Sequence, residues 1–121
     1  PLQKALAEGG IRTSAARIVG AAGDRGLSKI VEEYAASEDE DFRLEVAHSL
    51  VRCRNSAGVP PLVQALKSAK REARLIAINA LRPLNNGKDF GYRPQRTEEE
   101  NAEALKSWEE WAVKFGKAIF E

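Results

Sequence analysis

The sequence predicts an all-α fold, a solenoid of about three and a half helical hairpins whose final helix is a cap. Three observations carry this expectation. Segments opening at Ile11-Arg12, Phe42-Arg43 and Ala73-Arg74 superimpose at a spacing of 31 residues. Within each, apolar residues recur every three or four positions, the period of a half-buried helix. The composition, 43% hydrophobic and 31% charged, is dominated by alanine, leucine, lysine, arginine and glutamate, which favour helix. A fixed repeat of this length marks units that bury their apolar faces only by stacking.

The repeat is consistent in detail. Behind each arginine, Ala16, Ala47 and Ile78 fall at plus four, Val19, Leu50 and Leu81 at plus seven, and Asp24, Asn55 and Asn86 at plus twelve. Each unit reads as two helices joined by a polar turn, and the second helix carries the repeating signal. Seven helices are expected in total.

The first unit, residues 1–24, is partial: Pro1-Leu2-Gln3 resembles the later part of a first helix. Its second helix shows the stripe Ile11, Ala15, Ile18, Val19 and Ala22. The second unit, residues 25–55, offers Leu27, Ile30, Val31 and Tyr34, then Phe42, Val46, Leu50 and Cys53. Glu38 to Asp41 place acids at the start of that second helix, where they complement its dipole and cap free N–H groups. Glu8 stands at the matching place before Arg12.

In the third unit, residues 56–86, the stripes are Val59, Leu62, Val63, Leu66 and then Ala73, Ala77, Ala80, Leu81, Leu84. Pro60 and Pro61 fit a first helical turn, where a missing N–H costs nothing. Lys70 breaks the acidic pattern, and Pro83 should kink or end the helix. Small residues at Ala15, Ala16, Ala47, Ala77 and Ala80 let neighbouring helices approach closely.

Residues 87–97 form a turn-rich loop holding Phe90 and Tyr92. Thr97 and Glu100 then make a capping box for a final helix over residues 98–121. Leu105, Trp108, Ala112, Phe115 and Ile119 trace its inner face, with Trp111 at the edge. An end helix apolar on one side closes a stack against water.

Charge is uneven although the net value is +1. Residues 1–41 are net −3, residues 42–96 net +8 and residues 97–121 net −4. The single cysteine, Cys53, excludes an internal disulfide and reads as a small buried hydrophobe. No methionine is present, even at position 1, so the chain reads as a trimmed piece or a processed mature form. Its compartment is then cytoplasmic or, after loss of a leader, periplasmic. No apolar run approaches a membrane span.

The segments Ile11-Arg-Thr-Ser-Ala-Ala-Arg-Ile-Val-Gly20, Phe42-Arg-Leu-Glu-Val-Ala-His-Ser-Leu-Val51 and Ala73-Arg-Leu-Ile-Ala-Ile-Asn-Ala-Leu81 resemble HEAT-like repeats of the short bacterial type, the kind also found in phycobilisome lyase subunits. The resemblance covers residues 2–86. The tail from Asp89 to Trp111 is similar to the ending of many bacterial HEAT-repeat proteins, which usually carry an acid between the tyrosine and proline where this chain has Arg93. The resemblance implies a right-handed stack with the second helices lining its concave side, and a role as a protein-binding scaffold. It further implies that Arg12, Arg43 and Arg74 support the turns and adjoining units by hydrogen bonds.

On that basis the expected function is non-catalytic protein binding through residues projecting from the second helices: Thr13, Arg17, Leu44, His48, Arg52, Leu75 and Asn79. Leu44, Leu75 and Ile76 are apolar groups off the core stripe that could form a sticky strip. His48 is the only histidine; with Glu45 three residues before it and no further partner, it supports neither acid–base catalysis nor a metal site. No catalytic, cofactor or metal residues are assigned. The alternatives are nucleic-acid binding through the basic middle (Arg43, Arg52, Arg54, Lys67, Lys70, Arg71, Arg74, Arg82) or a lyase-associated HEAT subunit. Aromatics do not interleave with those cations, which disfavours stacking on bases.

Overall fold

The structure, a computed structural model, describes the backbone of residues 12–121 and the side chains of residues 15–121. The partial first helix expected before Arg12, and the side chains of Ile11, Arg12 and Thr13, lie outside the described residues. Six α-helices and no strand occur among the described residues: α1 (Arg12–Ala22), α2 (Arg25–Ser28), α3 (Glu40–Arg52), α4 (Val59–Ala65), α5 (Arg71–Leu81) and α6 (Ala102–Phe115). Short 3-10 segments follow α2 at Glu32–Ala36 and precede α4 at Ser56–Gly58.

Local chemistry sets most boundaries. The Asp24 side chain accepts from the Leu27 N–H to start α2, and Asp39 accepts from the Phe42 N–H to start α3. Asn55 does the same for the 3-10 turn before α4, accepting from the Ala57 N–H at 3.0 Å. Pro60 and Pro61 occupy the first turn of α4. Helix α5 stops at Leu81, two residues before Pro83, and passes through a 3-10 turn to Asn86 in left-handed conformation.

Two expected helices are shorter than their apolar patterns suggest. The run through Leu27, Ile30, Val31 and Tyr34 is not one α-helix. The Ser28 hydroxyl donates to the Arg25 carbonyl at 2.6 Å, and the Lys29 N–H bonds to Gly26 instead of Arg25. A side chain that takes a backbone acceptor competes with the α ladder, and the segment tightens into three-residue spacing. The final helix begins at Ala102 rather than residue 98. The capping box forms, with Thr97 and Glu100 each accepting from the other's N–H. Asn101 then leaves helical geometry and turns its buried amide to the Arg93 backbone.

The helices form two rows. The second helices α1, α3 and α5 lie side by side, while α4 packs between α3 and α5 on one side and against α6 on the other. The described residues 15–86 thus follow a HEAT-like solenoid, with α6 capping the row of first helices. Positions plus four and plus seven are its core: Ala16, Ala47, Ile78, Val19, Leu50 and Leu81 are all fully buried. The small residues allow close contact. A β-carbon on Gly20 of α1 would lie 2.9 Å from Ser49 Oγ of α3. Ser49 uses that proximity to donate to the Ala16 carbonyl at 2.7 Å.

The apolar interior is two clusters that meet at α3. Phe42, Val46, Leu50 and Cys53 pack with Ala15, Ala16, Val19 and Val31. Leu44 and Ala47 pack on the other flank with α4, α5, Tyr92 and α6. At the capped end Trp108 is fully buried, donates its indole N–H to the Asp89 carbonyl at 3.0 Å and meets Phe90 and Trp111 edge-on. Tyr92 is also fully buried, its hydroxyl donating to the Leu66 carbonyl at 2.6 Å. Trp111, placed by the sequence at the edge, is buried, whereas Phe115, placed inside, is exposed with Lys114 over its ring. Phe115 is the last residue of α6, so its side chain overhangs the stack.

Candidate functional site

On α3 the buried residues face α1, α5 and the first helices, so one strip is left: Asp41, Glu45, His48 and Arg52. The 31-residue step places Arg17 on α1 and Ile76 and Asn79 on α5 in the same strip. These residues form the open face of the second-helix row.

Most of the sequence-predicted residues come together here. Arg17 is exposed, and its Nε donates to Glu45 Oε1 at 3.0 Å, joining the first two units across the face. His48 is half-buried, and burial holds its pKa below the ordinary histidine value. Nearby Arg52 pushes the same way, and Glu45 opposes both. Arg52 and Asn79 are exposed, as is Leu75 at 46%. The side chain of Thr13 lies outside the described residues.

Leu44 is a correction. It is only 6% exposed and belongs to the core cluster that contains Ala73 and Ala77 of α5. Helix α5 lies along the flank of α3 that Leu44 occupies, so this residue fills between units and meets no partner. Among the described residues the equivalent flank of α5 has no further second helix beside it, which is why Leu75 at the same step stays accessible.

Two exposed apolar residues extend the face. Ile76 is 44% exposed, in line with the strip expected from sequence. Ile18 is 66% exposed, although its spacing placed it in the core stripe. The signal that could have found it is Ser49, its equivalent on α3. On α3 that position is buried because it faces α1.

The recurring arginines are structural wherever they are described. Arg43 Nη1 donates to the Ser37 carbonyl at 2.7 Å, and Arg74 Nη1 to the Ser68 carbonyl at 2.8 Å. Both therefore tie down the turn six residues upstream. Arg74 also donates from Nε to the Pro94 carbonyl at 2.9 Å, anchoring the 87–97 loop. Arg93 pairs with Asp89 at 3.0 Å.

These bonds dismantle the basic middle as one strip. Besides Arg43 and Arg74, Lys67 pairs with Glu109, Lys70 with Asp41 and Arg82 with Asp89. Arg52, Arg54 and Arg71 make no ion pair among the described residues. Cys53 is fully buried, its thiol within 3.2 Å of the Val19 carbonyl, and burial raises its pKa. A cleft lies on the opposite layer. It has a volume of about 510 Å³ and runs between Glu32–Ala36 and α4, lined by Ala35, Arg43, Pro60 and Gln64.

Two rows of helices in a 31-residue register, with an arginine locking the turns before α3 and α5, match what known sequences indicate. A family profile for HEAT repeats covers residues 1–86. The chain belongs to the HEAT-repeat family. No curated protein and no solved structure gives a significant match. HEAT repeats commonly serve as protein-interaction scaffolds, and no helix among the described residues is long and apolar enough to cross a membrane.

Proposed function

We propose that this HEAT module is a non-catalytic protein-binding scaffold, and that its partner lies on the open face of α1, α3 and α5. The observation that carries the reading is the contrast between repeat positions. Plus four and plus seven are buried in every described unit, while at one register Arg17 and Asn79 are exposed, His48 is half-buried, and the three differ in chemistry. Positions released from packing and grouped on one face are free to specify a ligand. Leu75 and Ile76 supply apolar area beside them, which a protein partner would desolvate.

Site-specific photo-crosslinking tests this. A cross-linker at Asn79 should capture the same protein as one at Arg17, and a cross-linker at Gln64 on the opposite layer should not. Capture should fall when Leu75 is changed to Glu, with the fold intact by circular dichroism. Capture from Gln64 alone would move the site to the first-helix layer. Leu44 is left unchanged in such work, because its loss would open the core.

Nucleic-acid binding is the weaker reading, since most cations of the middle segment are already committed to carbonyls or carboxylates. Histidine chemistry has little support: Glu45, the one carboxylate near His48 in sequence, is held by Arg17.

A further inference from the structure

Three non-glycine residues hold a left-handed backbone: Arg54 at φ 59°, Asn86 at φ 56° and Phe90 at φ 57°. Two have local reasons. Asparagine tolerates this region better than most residues, and Asn86 closes the turn after α5. The Phe90 ring packs edge-on against Trp108, 5.0 Å between centroids. Arg54 closes α3 in the same way, its N–H bonding to the Val51 carbonyl at 3.0 Å and the Asn55 N–H to the Leu50 carbonyl at 2.8 Å. That accounts for the backbone but not for an arginine, which is exposed and whose side chain makes no hydrogen bond or ion pair among the described residues.

The preceding unit shows what the backbone alone would choose. Gly23, 31 residues earlier, sits at φ 65°. A β-carbon in this region is sterically disfavoured, so a large side chain is held where glycine would fit better. An observed outlier of this kind points to a role for the side chain. Arg52 in the last turn already places one cation at the end of α3, so Arg54 adds a second there.

The surrounding charges leave Arg52 and Arg54 unmatched. Neither pairs with a carboxylate among the described residues: Glu45 is held by Arg17 at 3.0 Å, and Asp24 gives one oxygen to the Leu27 N–H at 3.1 Å. The chain from 42 to 96 is net +8. Two guanidiniums without an ion pair among the described residues thus stand at the C-terminal end of α3, the central helix of a row that also exposes Leu75 and Ile76 on α5.

We propose that this face takes an acidic segment carrying apolar side chains, with Arg52 and Arg54 as its cationic anchor. The inference rests on the protein-binding reading above and names the chemistry of the partner. Guanidinium groups present forked donors that suit carboxylates, and Leu75 and Ile76 would cover the partner's apolar groups.

The test is fluorescence anisotropy with labelled helical peptides of glutamate and leucine, glutamine and leucine, or lysine and leucine, and with a single-stranded DNA. The Glu/Leu peptide should bind about tenfold tighter than the Gln/Leu peptide at low salt, with the gap closing as salt rises. Joint Arg52→Glu and Arg54→Glu should abolish that preference. Arg54→Gly should weaken Glu/Leu binding several-fold while raising Tm by about 2–4 °C, a pairing that a purely structural arginine would not give. Unchanged binding in Arg54→Gly and in the double reversal would overturn the proposal. Equal binding of the Gln/Leu peptide, lost in Leu75→Glu, would remove the acidic specificity and keep the protein-binding face. Indifference of every peptide to Leu75→Glu would count against both. Tighter DNA binding, lost in the double reversal, would make the anchor a phosphate site and overturn the proposal.

Discussion

Leu44 and Leu75 occupy the same step of the repeat, yet one is 6% exposed and the other 46%. The difference lies in their neighbours. Helix α3 has a second helix on each flank, α1 and α5, whereas among the described residues α5 has only α3. The cap does not remove this asymmetry, because α6 packs on α4 and so covers the row of first helices. A repeat position therefore carries no fixed burial of its own; its place in the row decides whether it is core or surface.

The largest expected effect tests that statement directly. Leu44→Ala should destabilise the protein by about 2–4 kcal/mol, since it removes packed methyl groups and leaves a cavity between α3 and α5. Leu75→Ala should cost less than about 1 kcal/mol, because much of its side chain already meets water. Urea unfolding of the two variants gives the contrast. Equal losses would mean that α5 is covered on its outer flank in solution.

The same pair shows how much was legible in the chain. Periodicity identified the plus-four and plus-seven positions, because those face the other row in every unit. It could not separate Leu44 from Leu75, or recognise Ile18 as exposed, because flank burial depends on a neighbour that a single unit does not encode. Ser28 hid in the same way: its spacing is helical, but its hydroxyl takes the Arg25 carbonyl and shortens the helix. Arg54 gave no signal at all, since backbone conformation at one residue leaves no trace in apolar spacing.

The turn arginines sharpen the comparison next. Arg43 in the middle unit binds one carbonyl, and Arg74 in the end unit binds two. Charge-assisted bonds of this type are worth about 1.5–3 kcal/mol each when their acceptors are otherwise unsatisfied, and less where water can replace the donor. Arg74→Ala should therefore cost more than Arg43→Ala. It should also speed amide hydrogen exchange in the 87–97 loop, because the Pro94 carbonyl loses its anchor. If exchange in the loop is unchanged, the bond to Pro94 is not what holds the loop.

Helix starts differ as well. Asp39 caps α3 through the Phe42 N–H, whereas Lys70 at the head of α5 makes no side-chain cap and instead reaches Asp41 of the preceding unit. That ion pair is fully exposed and screened, so its loss should matter little. A capping asparagine contributes about 1 kcal/mol to a helix. Lys70→Asn should then raise Tm slightly, and a fall would show that the bridge between units outweighs the cap.

The smallest effect concerns His48, in the middle of the row, against Asn79 at its end. Burial beside its neighbours lowers the His48 pKa, with Arg52 adding to the shift and Glu45 opposing it. The folded protein therefore binds a proton at His48 less readily than the unfolded chain does. Stability from this source is complete above the ordinary histidine value of about 6.5 and is lost as pH falls through the lower folded value. Wild type should lose slightly more stability than His48→Gln between neutral and mildly acidic pH, measured by urea midpoints across that range. A second expectation follows from the cause of the shift: Arg52→Gln removes a repelling cation, so the His48 resonance should titrate at higher pH by NMR. An unchanged or lower titration point would mean that Arg52 points away from the face, and the proposed anchor would then have to rest on Arg54 alone.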